Sequence, residues 1–144
     1  MGYRKKCSGF TLVELIVVVS ILAILMAFAV PQLIEYTKAS HRMAGKTEAF
    51  LCVDAVQRYI DDLKDSGELS PGKIMKIMNQ DMDTPDWVLK DYIYGGQKGA
   101  RIVAVNVDLN QGRLQSLTYD SEYYTATITI DEDGNKLLAQ DELK

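Results

Sequence analysis

The chain has 144 residues, 47% hydrophobic and 25% charged, with a formal net charge of −4. That length suits one domain with an appended segment, and the acidic balance argues against non-specific nucleic-acid binding, which needs a cationic face. The only cysteines are Cys7 and Cys52, so a chain that loses its first residues keeps one thiol and forms no internal disulfide.

The apolar residues are unevenly placed. From Leu15 to Ile34 there are 20 residues with no ionisable group. As a helix they rise about 30 Å, the thickness of a bilayer's hydrocarbon core. Arg4, Lys5 and Lys6 precede the run, while Glu35 and Lys38 are the first charges after it. Basic residues upstream predict a cytoplasmic N-terminus and an external C-terminal part. A cleaved secretory signal fits poorly, because its apolar core is shorter and the small-residue triplet Ala27-Phe28-Ala29 is embedded inside this run. A plain signal anchor explains the length and the flanking charge. It does not explain Glu14, since a carboxylate in a membrane helix is costly and usually marks a function. Two effects lower that cost: the side chain can snorkel from near the helix end, and a helix dipole favours an acid in the first turns.

The whole constellation is more specific. The basic residues, then Ser8-Gly9, then Phe10-Thr11-Leu12-Val13-Glu14-Leu15 and a long apolar helix closely resemble the prepilin signature of type IV pilins and pseudopilins. The resemblance implies a leader of residues 1–9 that is cut after Gly9 by a prepilin peptidase on the cytoplasmic side. It implies N-methylation of the new terminus, Phe10, by the same enzyme. Cutting removes the three leader cations, Arg4, Lys5 and Lys6, which takes the side-chain charge from −4 to −7. The anchor, residues 10–34, is retained. In an assembled filament, Glu14 of one subunit is expected to meet the Phe10 amine of a neighbour and so to set the axial register, as buried polar groups do in coiled coils. Pro31 removes one backbone donor and is expected to kink the helix. A glycine often found midway between acid and proline in this family is absent; Ile21-Leu22-Ala23-Ile24-Leu25 stands there.

Beyond the membrane run, residues 35–144 are expected to form an external globular domain. Ala49, Val53, Val56, Ile60 and Leu63 recur at spacings of four and three, predicting an amphipathic helix from Glu35 to Leu63 that stops at Ser66-Gly67. Ser70-Pro71 predicts a short helix to Met78, and Thr84-Pro85-Asp86-Trp87 a second one to about Tyr92. Strands are expected at Arg101–Leu109, Leu114–Tyr119, Tyr123–Ile130 and Lys136–Ala139, joined by short turns and therefore antiparallel. Ala126, Ile128 and Ile130 are expected to face the helix, and Thr125, Thr127 and Thr129 to face away. The fold class is α+β: a long N-terminal helix, membrane-spanning in its first half, packed on a small antiparallel sheet. The pilin resemblance implies the same arrangement.

The rest of the chain offers little chemistry. His41 and Cys52 are eleven residues apart on one predicted helix, about 16 Å, which is beyond a nucleophile–base hydrogen bond. The run Asp131-Glu132-Asp133-Gly134-Asn135 lacks the ligand spacing of a calcium hand and reads as a hairpin turn. Tyr92, Tyr94, Tyr119, Tyr123 and Tyr124 are expected to pack in or around the sheet, and Asp141-Glu142 to be solvated. No catalytic residue, cofactor or metal ligand is assigned, and an enzyme is not expected. The function implied is a structural subunit precursor. Its expected partners are the prepilin peptidase, an assembly platform protein and ATPase, membrane lipid, and copies of itself or other pilins. It is expected in the cytoplasmic membrane and then in a surface filament. Major pilin, minor pilin and secretion or competence pseudopilin all remain open. The alternative is a single-pass anchored protein that binds a ligand or partner and does not polymerise.

Overall fold

A computed structural model describes residues 9–144 of the chain; Arg4, Lys5 and Lys6 of the basic leader lie outside the described residues. One long helix, α1 (Leu12–Asp65), is followed by a single-turn α2 (Pro71–Met75) and four strands, β1 (Arg101–Asp108), β2 (Arg113–Asp120), β3 (Tyr124–Ile130) and β4 (Lys136–Leu143). The chain divides into two units, one ending at Thr37 and the other spanning Lys38–Lys144.

In the first unit α1 carries almost nothing but apolar side chains, and none of its most apolar stretch is buried against protein. Pro31 lies inside the helix, which is continuous on both sides of it. Proline has no N–H, so the carbonyl of Ala27 loses its usual partner. Two hydroxyls of this segment turn back on the helix: Ser20 donates to the Ile16 carbonyl at 2.7 Å and Thr37 to the Leu33 carbonyl at 2.8 Å. Each thus satisfies its donor without water, and for Ser20, inside the apolar run, a membrane interior would demand this.

The second unit holds the core. The sheet is a meander in the order β1-β2-β3-β4, every neighbouring pair antiparallel. Ala49, Val53, Val56, Ile60 and Leu63 of α1 are buried with Ile102, Leu114, Leu117, Tyr119, Tyr124, Ala126 and Ile128 of the sheet. Fully burying each large side chain contributes about 1.5–3 kcal/mol, so this face of α1 stays in place through the sheet it covers. Gly45 decides how closely Tyr124 approaches, because a Cβ there would lie 2.5 Å from the Tyr124 ring. Gln57 ties the helix to the β1–β2 turn, accepting from the Leu114 N–H at 2.9 Å and donating to the Gly112 carbonyl at 3.1 Å.

The helix ends where Ser66-Gly67 predicted, two residues beyond Leu63. Gly67 has φ +72°, the Glu68 N–H reaches the Leu63 carbonyl at 2.8 Å and the Gly67 N–H the Lys64 carbonyl at 3.1 Å. This is the doubly bonded glycine stop that satisfies terminal carbonyls.

Three expectations need correction. The stretch from Thr84 to Tyr92 is a series of turns and not a helix. Trp87 and Leu89 are both buried, and a spacing of two would put them on different sides of a helix. Their shared burial outweighs the proline start signal. The first short helix ends at Met75, and Ser70 makes no side-chain cap. The last strand runs to Leu143 instead of stopping at Ala139, because pairing with β3 continues to Tyr124 opposite Leu143. Asp141 is consequently not a solvated tail residue: it accepts from Arg42 at 2.8 Å and from the Tyr124 hydroxyl at 3.3 Å.

Candidate processing and assembly site

Gly9, Phe10, Thr11 and Glu14 sit together at the start of α1. Gly9 is exposed, and nothing lies within 4 Å of a Cβ built upon it. The fold of this chain therefore does not require glycine there. Phe10 is 79% exposed, leaving the bond between them open to a second protein.

Glu14 has a local partner that spacing predicts but that the membrane argument overlooks. Its Oε2 accepts from the Thr11 N–H at 2.8 Å and from the Thr11 hydroxyl at 2.7 Å, and Thr11 Oγ1 in turn accepts from the Glu14 N–H at 3.2 Å. Threonine and glutamate three apart form a reciprocal cap that satisfies two otherwise orphaned donors of a helix start. The signal was legible as Thr11-x-x-Glu14. The carboxylate is thus held in place, and all its hydrogen bonds use one oxygen; among the described residues Oε1 has no hydrogen-bond partner.

The other candidates separate. Cys52 is buried with its Sγ 3.9 Å from Met82 Sδ, and burial first, then the charge of Glu48, pushes its thiol well above the ordinary range. His41 stacks on Tyr123 with ring centroids 4.3 Å apart. The two are not brought together. The Asp131–Asn135 loop is closed by its own bonds, with Asp131 accepting from both the backbone and the side chain of Asn135 at 2.7 and 2.9 Å. Of the five tyrosines, Tyr119 and Tyr124 enter the core while Tyr94 stands fully exposed.

A half-buried acid that sequence patterning gave no reason to single out lies on α1 beside Tyr119 of β2. Glu48 accepts the Gln97 N–H with both oxygens, at 3.0 and 2.9 Å, and a Cβ on Gly96 would fall 2.8 Å from Oε1. Desolvation raises its pKa, opposed by the Gln97 bond. The neighbouring Tyr119 hydroxyl is buried, and burial first, then the nearby charge of Glu48, drives its pKa upward.

The pattern of the prokaryotic N-terminal methylation motif matches residues 4–30. No solved structure matches the chain.

Proposed function

We propose that this chain, which bears the N-terminal signature of type IV prepilins and pseudopilins, is a subunit precursor that polymerises through α1 once its leader is removed. The observation that carries this reading is the methylation motif overlapping the apolar stretch of α1, none of whose residues is buried among the described residues. Such a helix needs lipid or other helices around it. Cleavage after Gly9 creates an amine on Phe10, and methylation leaves it cationic. Glu14 is already oriented by Thr11 through Oε2, and Oε1, without a hydrogen bond among the described residues, is the oxygen we assign to a neighbour's amine. Basic residues before the run and the long polar part after it support an external globular unit. The platform protein and ATPase of a pilus-type machine are the partners this assembly calls for.

The local cap is also the strongest rival explanation for Glu14, and one substitution separates the two. Glutamine serves the cap as well as glutamate but carries no charge. Glu14→Gln is therefore expected to insert and be cleaved, then to accumulate in the membrane and fail to enter filaments. Glu14→Leu should behave alike, since a buried amine left unpaired typically costs about 3–5 kcal/mol. Intact mass must first show a chain beginning at methylated Phe10. If processed Glu14→Gln protein assembles like wild type, the charge has no registration role and the cap alone accounts for the acid. Gly9→Val tests the processing step separately: the precursor should persist uncut while the globular unit stays folded.

A further inference from the structure

Between Ile93 and Ala100 the chain crosses the Lys38–Lys144 unit without regular structure. Among the described residues, the backbone of Tyr94, Gly95 and Gly96 makes no hydrogen bond. The first tie after them is the Gln97 N–H, which both oxygens of Glu48 accept, at 3.0 and 2.9 Å. Beyond that point the loop is held to the turn after β2. The Gln97 side chain accepts from the Ser121 hydroxyl at 3.1 Å, and the Lys98 carbonyl from the Glu122 N–H at 3.1 Å. Gly95 has φ +75°, a conformation that favours glycine. Gly96 leaves the space the contact needs, since a Cβ there would lie 2.8 Å from Glu48 Oε1 and 3.2 Å from the Ala100 Cβ. Two glycines and one carboxylate thus pin a segment that has no other backbone tie.

What surrounds that carboxylate decides how it answers to protons. Glu48 is half-buried, and a single N–H serves both of its oxygens. Cys52, one turn along α1, and Tyr119 of β2 are the titratable groups close enough to feel its charge, and both are neutral, their pKa values pushed upward by burial. Lys98, beside Gln97, is engaged by Glu122 at 3.0 Å. None of the ion pairs among the described residues includes Glu48. Closing the loop therefore takes a charge partly out of water with little to replace the solvent. A neutral carboxyl loses far less, and one of its oxygens still accepts the Gln97 N–H. Opening returns the group to water and to its ordinary pKa. The closed form binds the proton more tightly than the open one, in line with the desolvation that raises the Glu48 pKa, so acidification favours closure.

We propose that residues 94–97 form a proton-tightened clasp on α1, which protonation of Glu48 shuts and ionisation of Glu48 lets open more often. Its arm carries Tyr94, whose side chain is fully exposed, so the proton sets how often that ring leaves its place. The inference stands on the Lys38–Lys144 unit alone and holds whether or not the chain polymerises.

The test is residue-resolved amide exchange on the full chain in detergent, from about pH 4 to about pH 7, which brackets a carboxyl raised above its ordinary value. Protection is taken relative to the intrinsic exchange rate at each pH. At Gln97 it should rise as pH falls, by at most about tenfold per pH unit, the limit for one proton. The amides of β2 report opening of the whole unit and should stay better protected than Gln97 throughout. Glu48→Gln keeps the shape and the acceptor without the charge, and should hold Gln97 at the acid level of protection at every pH. Glu48→Ala removes the tie and should lower that protection at every pH. Gln97 protection equal to that of β2 means that the loop opens only with the whole unit, and overturns the clasp. Protection that is flat or falls on acidification overturns it as well, and the wild-type series decides this even where a variant does not fold. Protection that still follows pH in Glu48→Gln protein assigns the proton to another group. Unchanged protection in Glu48→Ala protein removes Glu48 as the tie, and either result overturns the proposal.

Discussion

The same helix is built in two ways along its length. Ile24 is 61% exposed and Ile60 is 0% exposed, although both are isoleucines in unbroken α1. Around Ile60, charged residues alternate with apolar ones, so one face needs a partner and the sheet provides it. Around Ile24 every face is apolar, and among the described residues none of that apolar stretch is buried. The difference shows that apolar content alone does not make a core. A stripe drives folding in water, whereas an all-round apolar surface needs a different solvent.

That contrast is open to direct test through Trp87, the only tryptophan and buried in the second unit. Denaturant unfolding of the full chain in detergent, followed by its fluorescence, reports the stability of that unit. Ile60→Ala should cost about 2–5 kcal/mol, the range for a buried isoleucine truncated to alanine. Ile24→Ala should leave the Trp87 transition where it is. Equal shifts would mean that the bare segment shares in the stability of the globular unit.

A smaller effect is expected at the close contact between helix and sheet. Gly45→Ala places a Cβ at 2.5–2.8 Å from three Tyr124 ring and Cβ atoms, which obliges the ring to move and costs about 1–3 kcal/mol by overpacking. Pairing it with Tyr124→Leu should recover part of the loss. If the single variant unfolds like wild type, the sheet has more freedom over α1 than this contact allows.

The smallest effects concern pH, and two acids of the globular unit pull in opposite directions. At Asp120 burial works upward, but Lys144, Thr125 and Arg101 outweigh it and hold the carboxyl below its ordinary value. Its contribution is present above the unfolded pKa and is lost as pH falls through the folded one. At Glu48 desolvation leads and the pKa is raised. The folded state then binds the proton more tightly, so lowering the pH through that raised value stabilises the unit. Glu48→Gln should raise stability at neutral pH and steepen the loss on acidification, because the opposing contribution is gone. Asp120→Asn should flatten that loss. Unfolding midpoints measured across the acid range check both, and a Glu48→Gln variant less stable than wild type at neutral pH would contradict the sign.

Patterning reached far into this molecule. Spacings of four and three located the buried face of α1 from Ala49 to Leu63, and Ser66-Gly67 marked its end to within two residues. Runs rich in β-branched and aromatic residues, separated by short turns, located all four strands, the last only as far as Ala139, because in a meander each strand pairs with its sequence neighbour. Gly9, Phe10 and Glu14 were legible because they belong to the N-terminal methylation motif, a linear pattern that needs no fold to be read. Contacts between distant segments decided the rest. Trp87 and Leu89 turned an expected helix into a chain of turns, since burying both demanded directions that one helix does not offer. Pairing with β3 extended β4 to Leu143 and brought Asp141 to Arg42 and Tyr124. The contact of Glu48 with Gln97 brings together residues 49 positions apart, and local propensity carries no information about such meetings.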